Sequence, residues 1–250
     1  MADAATISTS ESKPTSAMSR PPAPAAPITP GKVAIWLFLA TEVMFFTGLI
    51  GTYIVLRAGS APTAYSNLFS PGTDLSIVLR QKPEGLVTTS WPRPFDPSMN
   101  PLSVDLTAAN TFILMASSLT MILALSTCQR DDKRKTALYL TATAVIGTVF
   151  LGIQAFEYNQ LLFAHHYPAG VSQTGHFTPD VSVFASCFFT MTGFHGLHVA
   201  GGLVAIFALI VRSWFGAYSS TNSHSIEVIS LYWHFVDLVW LILFTVVYLI

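Results

Sequence analysis

The chemistry in this sequence rests on a few ionisable side chains set in otherwise apolar stretches. Glu42 interrupts Trp36-Leu37-Phe38-Leu39-Ala40-Thr41-Glu42-Val43-Met44-Phe45-Phe46, and Glu157 closes the apolar run Leu151-Gly152-Ile153-Gln154-Ala155-Phe156. His195 and His198 stand three apart, as do His234 and Asp237, a spacing that puts each pair on one face of a helix. Carboxylates so placed suit a proton relay or proton sensor, and paired histidines suit a metal or haem. A buried charge at membrane depth costs about 2.5–3.5 kcal/mol on insertion scales, so each of these groups requires an account.

The bland readings are stronger. Haem ligation asks for histidines on facing helices, well separated in depth, which a spacing of three does not supply. Zinc or copper asks for third and fourth ligands at the same level, and His234 is the only other intramembrane histidine. Glu157, His195, His198, His234 and Asp237 are therefore read as a structural polar cluster, since buried polar groups generally find partners. Glu42 is read as a buried carboxylate hydrogen-bonded to a neighbouring helix. Gly193, Gly196, Gly201 and Gly202 suit close helix packing, with Gly196 and Ala200 a small-xxx-small pair. No nucleophile elbow, phosphate loop or Ser/His/Asp arrangement is present, and no active site is assigned.

The elements that must position these residues are membrane spans. Of the 250 residues, 52% are hydrophobic and only 10% charged, against about 25% charged in soluble domains. Five apolar stretches, at about 32–56, 107–128, 136–163, 180–211 and 226–250, are each long enough to cross a hydrocarbon layer of about 30 Å as a helix. Residues 1–31, rich in Ala, Ser, Thr and Pro, lack the apolar core of a signal peptide and read as a disordered tail. The Pro-rich segment at about 57–106, with Trp91-Pro92-Arg93-Pro94-Phe95-Asp96-Pro97, reads as a long loop outside the membrane. Residues 32–250 then form one membrane domain.

Charge sets the orientation and narrows the partners. Lys13, Arg20, Lys32, Arg130, Lys133, Arg134, Lys135 and Arg212 fall on one side of the five spans, eight of the twelve basic residues, and cytoplasmic flanks hold such an excess. The expected fold is an all-α polytopic membrane protein with five transmembrane helices, a cytoplasmic N-terminus and an outer-side C-terminus. A net charge of -1 without a basic stripe argues against nucleic acid as a partner. Cys128 and Cys187 fall in or beside apolar stretches and read as structural. The halves do not look like inverted transporter repeats, which weakens a carrier reading.

As a set, the landmarks resemble subunit III of the haem–copper terminal oxidases. The resemblance is carried by the block from Trp36 to Gly48, by Asn110-Thr111, by Leu151 to Tyr158, by Gly193-Phe194-His195-Gly196-Leu197-His198-Val199 and by Tyr232-Trp233-His234-Phe235-Val236-Asp237-Leu238-Val239-Trp240, in the family's order. It runs from about Gly31 to the last residue. The resemblance implies a non-catalytic subunit of a proton-pumping oxidase of aerobic respiration, in the bacterial plasma (inner) membrane. Such a subunit carries no haem or copper; these are expected on partner subunits.

By the same resemblance the chain packs against subunit I, supports proton uptake there and protects the oxidase during turnover. It also implies bound phospholipid, with Arg212 matching a family arginine that contacts a lipid headgroup, and it makes Glu42 the carboxylate that reacts with hydrophobic carbodiimides. The segment Asn222-Ser223-His224-Ser225-Ile226-Glu227 resembles the family's approach to the last helix with its histidine offset by one, so His224 is given no role. The mitochondrial-type subunit has seven helices, so this chain matches from the third onward and an extended subunit I is expected. The long loop is a candidate contact for subunit II or an electron donor. Cytochrome c is the first expectation as donor to the complex and quinol the second; a nitric-oxide-reductase-associated subunit shares the fold. From a different class, a stand-alone transporter or haem anchor would use Glu42, Glu157, His195, His198 and His234.

Overall fold

The computed structural model describes residues 29–59, 102–164, 176–180, 183–220 and 222–249, which are helices and the turns between them. The expected disordered tail up to residue 28, the loop from 60 to 101 and most of the crossing between the third and fourth spans lie outside the described residues. Five helices are long and apolar enough to cross a membrane. They are α1 (Pro30–Gly59), α2 (Val104–Gln129), α3 (Lys133–Asn159, widening into a π turn at Gln160–Ala164), α4 (Val183–Trp214) and α5 (His224–Phe244, with a π turn at Thr245–Leu249).

Local sequence explains the ends. α1 opens on Pro30, whose missing N–H falls among the helix's unpaired donors, and Lys32 N–H donates to the Thr29 carbonyl at 3.0 Å. α2 closes in a Schellman turn. Asp131 takes a left-handed backbone, φ 59°, while Asp131 N–H reaches the Cys128 carbonyl and Asp132 N–H the Thr127 carbonyl, both at 3.0 Å. Asp132 then caps α3, accepting from Lys135 N–H at 3.1 Å. α4 ends the same way around Gly216, φ 71°, with Ala217 N–H on the Arg212 carbonyl at 3.1 Å.

These two turns lock together. The Asp131 carboxylate accepts the Ser220 N–H at 2.6 Å, and Lys133 Nζ lies 3.5 Å from the Gly216 carbonyl. At the same end of the bundle Lys32 pairs with Glu227 at 2.7 Å and the Thr29 hydroxyl lies 3.1 Å from His224 Nε2. Basic residues 32, 130, 133–135 and 212 therefore share one end.

Helices α2 to α5 form a four-helix core, and α1 lies on the α4–α5 side of it. Trp233 of α5 is fully buried, and a Cβ on Gly147 of α3 would stand 2.8 Å from its ring, one on Gly202 of α4 3.0 Å away. Small residues admit the indole where three backbones converge. The close approach thus falls at Gly202, as expected, and at Gly147, which the sequence reading did not single out. A Cβ on Gly196 would meet nothing within 4 Å, so the Gly196–Ala200 pair is not a packing point inside this chain. The outward faces carry Leu37, Met44, Phe112, Leu138, Leu197 and Val204, all exposed, as suits side chains solvated by lipid tails. Cys128 and Cys187 are both free thiols.

Candidate functional site

The intramembrane polar residues form separate groups, each spanning a helix contact. In the first, Glu42 Oε2 of α1 lies 3.0 Å from His198 Nε2 of α4. His198 Nδ1–H donates to the Phe194 carbonyl one turn back at 2.7 Å. With Nδ1 so engaged, Nε2 is the ring nitrogen left to hydrogen-bond the carboxyl. Phe46 sets its ring edge-on to the imidazole at 5.3 Å, and the Tyr232 hydroxyl donates to the His198 carbonyl at 2.9 Å. The pair thus sits in an aromatic niche at the α1–α4–α5 seam, with both side chains under one fifth exposed.

In the second group, Ser118 of α2 donates its hydroxyl proton to Asp237 Oδ2 and receives His234 Nδ1 at 2.8 Å. His234 Nε2 meets the Ser230 hydroxyl at 3.2 Å. Below the pair, Trp233 donates its indole N–H to Ser117 at 2.9 Å, so consecutive serines of α2 bind consecutive residues of α5.

The third group lies near the opposite end from the basic residues. Glu157 Oε1 is 3.1 Å from the Thr107 hydroxyl and Oε2 is 3.5 Å from the Tyr248 hydroxyl, which ties α3 to α2 and α5. Beside it, Tyr158 and Thr192 share a 2.6 Å hydroxyl contact between α3 and α4.

His195 joins none of these. It is 1% exposed, its ring tilted over Trp240 at 4.7 Å and edge-on to Phe150 at 6.0 Å. A spacing of three turns a helix about 60° from register, enough to send His195 into the core while His198 reaches the seam with α1. The expected single cluster of Glu157, His195, His198, His234 and Asp237 is therefore distributed over several levels, with His234 and Asp237 brought together through Ser118. Among the described residues no three His, Cys, Asp or Glu side chains converge as a ligand set.

Arg212 stands exposed in the last turn of α4, its guanidinium 5.8 Å from the centre of the Tyr218 ring. Trp214 and Phe215 beside it are 77% and 85% exposed. A guanidinium flanked by bare aromatics at a helix end is the pattern of a membrane interface, where aromatic belts meet headgroups.

Several residues of these groups were missed by sequence reading: Thr107, Ser118, Tyr248 and the tryptophans. Trp233 and Trp240 did carry a signal, because residues seven apart on α5 occupy one face. The small hydroxyl residues carried none.

Comparison with known proteins agrees with these landmarks. The family model for Cytochrome c oxidase subunit III matches residues 80–250. The chain is 31% identical over 217 residues to cytochrome c oxidase subunit 3 of Alkalihalophilus pseudofirmus, covering 87% of this chain and 85% of that one. It is 32% identical over 219 residues to the subunit 3 of Bacillus sp. PS3, covering 87% and 84%. The corresponding Synechocystis protein is 32% identical over 215 residues, covering 86% of this chain and 73% of its own. With the family profile spanning more than half the chain and these relatives aligned over most of their length, the chain belongs to the cytochrome c oxidase subunit III family.

Proposed function

We propose that this chain is a non-catalytic, supporting subunit of a proton-pumping haem–copper oxidase, bound to subunit I in a bacterial plasma membrane. The observation that carries this reading is the way its intramembrane acids are spent. Glu42, Glu157 and Asp237 each bind a neighbouring helix of the same chain. Thr107 and Ser118, which hold Glu157 and Asp237, stand eleven residues apart on α2, about 16 Å of helix. Between them lie buried Leu114, Phe150 and Trp240 together with the polar side chains of Asn110, Gln154 and His195. Groups so placed each fasten one helix of the chain to another.

The basic end of the bundle faces the cytoplasm in this reading, so the N-terminus is inside and the last residue outside. Arg212 there holds a phospholipid headgroup, a role suited to a guanidinium that can bind phosphate through two N–H groups. Haem and copper reside on partner subunits, with subunit I beside this chain and subunit II nearby. Cytochrome c is the proposed donor, in keeping with the name that the relatives share.

Capture through a tag on this chain tests the assignment. A complex containing subunits I and II with haem should come down with it. Recovery of the chain without an oxidase would contradict the reading.

A further inference from the structure

Three buried polar side chains outside the three groups come from adjacent helices of the core. Asn110 of α2, Gln154 of α3 and His195 of α4 are 2%, 6% and 1% exposed. Among the described residues, Asn110 Oδ1, both amide atoms of Gln154 and both ring nitrogens of His195 are buried without a hydrogen-bond partner.

Helix register sets them at one level. Thr107 meets Glu157 and Thr120 meets Thr143, an antiparallel register of α2 and α3 that brings Gln154 level with Asn110. Tyr158 meets Thr192 across α3 and α4, and one turn further in on each helix Gln154 comes level with His195. Trp240 closes the layer from α5, stacking on His195 and donating its indole N–H to Thr111 at 2.9 Å.

Reassigning atoms does not relieve the shortage. Both ends of the Gln154 amide are unpartnered, so exchanging its oxygen and nitrogen changes nothing. Exchanging those of Asn110 would turn its 3.3 Å donation to the Phe150 carbonyl into an oxygen–oxygen contact. Either tautomer of His195 leaves one N–H and one lone pair to be met.

The geometry points to a buried hydration site: an ordered water held between Asn110 Oδ1, the Gln154 amide and the His195 imidazole at the centre of the α2–α5 core. Water is the ligand whose chemistry fits, because it donates and accepts at once and typically makes about three hydrogen bonds when buried. An apolar or charged occupant would leave the donors and acceptors of this mixed set unmatched. The inference is independent of the oxidase assignment, since it concerns only how this chain's own core is satisfied.

Cryo-electron microscopy of the intact membrane complex, at a resolution that reveals ordered water, tests it directly. The expected result is a solvent density at about 2.7–3.2 Å from an atom of each of the three residues. Its loss is expected in Gln154→Met, which keeps the volume and removes both amide atoms. Gln154 turned to bond His195 directly, with no density in the layer, would overturn the proposal. Water-edited solid-state NMR of the unsubstituted protein gives a second reading that needs no variant. A water cross-peak to the His195 ring is expected, and its absence counts against the site.

Discussion

Glu42 of α1 and His198 of α4 meet at 3.0 Å, a hydrogen bond across the seam that joins α1 to the other four helices. Lys32–Glu227 and Thr29–His224 hold the start of α1 at the basic end, and the Glu42–His198 pair lies ten residues beyond Lys32, within the span. Glu42→Ala is expected to loosen α1, by about 1–3 kcal/mol for an imidazole left without its partner, read as faster hydrogen exchange along α1. Initial oxygen reduction by the complex should be unchanged, and a hydrophobic carbodiimide should modify Glu42 in the unsubstituted protein. Immediate loss of turnover in Glu42→Ala would mark the pair as part of the proton path itself.

Trp233 depends on the absence of a side chain at Gly147. Gly147→Ala places a methyl 2.8 Å from the indole and 3.0 Å from Leu203, and overpacking of that kind costs about 1–3 kcal/mol. Gly152→Ala, five residues on with nothing within 4 Å, should be neutral or gain up to about 1 kcal/mol from helix propensity. Thermal unfolding of the detergent-solubilised subunit separates the two, and equal effects would refute the packing role.

The turn between α2 and α3 should be acid-sensitive. Hydrogen bonds from Ser220, its backbone N–H foremost, hold the Asp131 carboxyl below the usual carboxylate range, with a smaller contribution from the Lys133 charge. A group depressed in the folded state contributes fully above its unfolded value, here 3.8, and that contribution is lost as pH falls through the lower folded value. Asp131→Asn keeps a residue tolerant of the left-handed backbone and removes the charge. The stability gap between the two proteins should be present near neutral pH and close in acid; a gap that persists unchanged in acid would contradict the role of the ionised carboxylate.

Arg212→Ala should release phospholipid from the purified complex, and Arg212→Lys should retain part of it, since an ammonium keeps the charge without the two-point fit. Native mass spectrometry reads the difference directly. Unchanged lipid content in Arg212→Ala would remove this residue from the lipid site.

Five spans could be read from sequence because apolar length alone decides that a helix crosses a membrane, yet the helices run past the apolar segments. Lys133, Arg134 and Lys135 lie in the first turn of α3, and Arg212 to Trp214 in the last turn of α4, because backbone hydrogen bonding continues into the interface where charge is tolerated. Asp180 lies in a turn ahead of α4, whose described part runs over Val183–Trp214. Partnerships were harder to read. That Glu42 belongs with His198, and that Glu157 stands far from Asp237, follows from which helices are neighbours and in which register, information held in Trp233, Gly147 and Gly202 as shapes. Ser118 gave no signal because a hydroxyl in an apolar helix can equally bond its own backbone.

The most direct test of a supporting role is to strip this chain from the purified oxidase and follow where the haem and the activity go. All haem, by reduced-minus-oxidised spectrum, should stay with subunit I, and the initial rate of oxygen reduction should persist while the enzyme inactivates sooner in turnover. Stoichiometric haem leaving with this chain, or oxygen reduction abolished from the first turnover, would contradict the account.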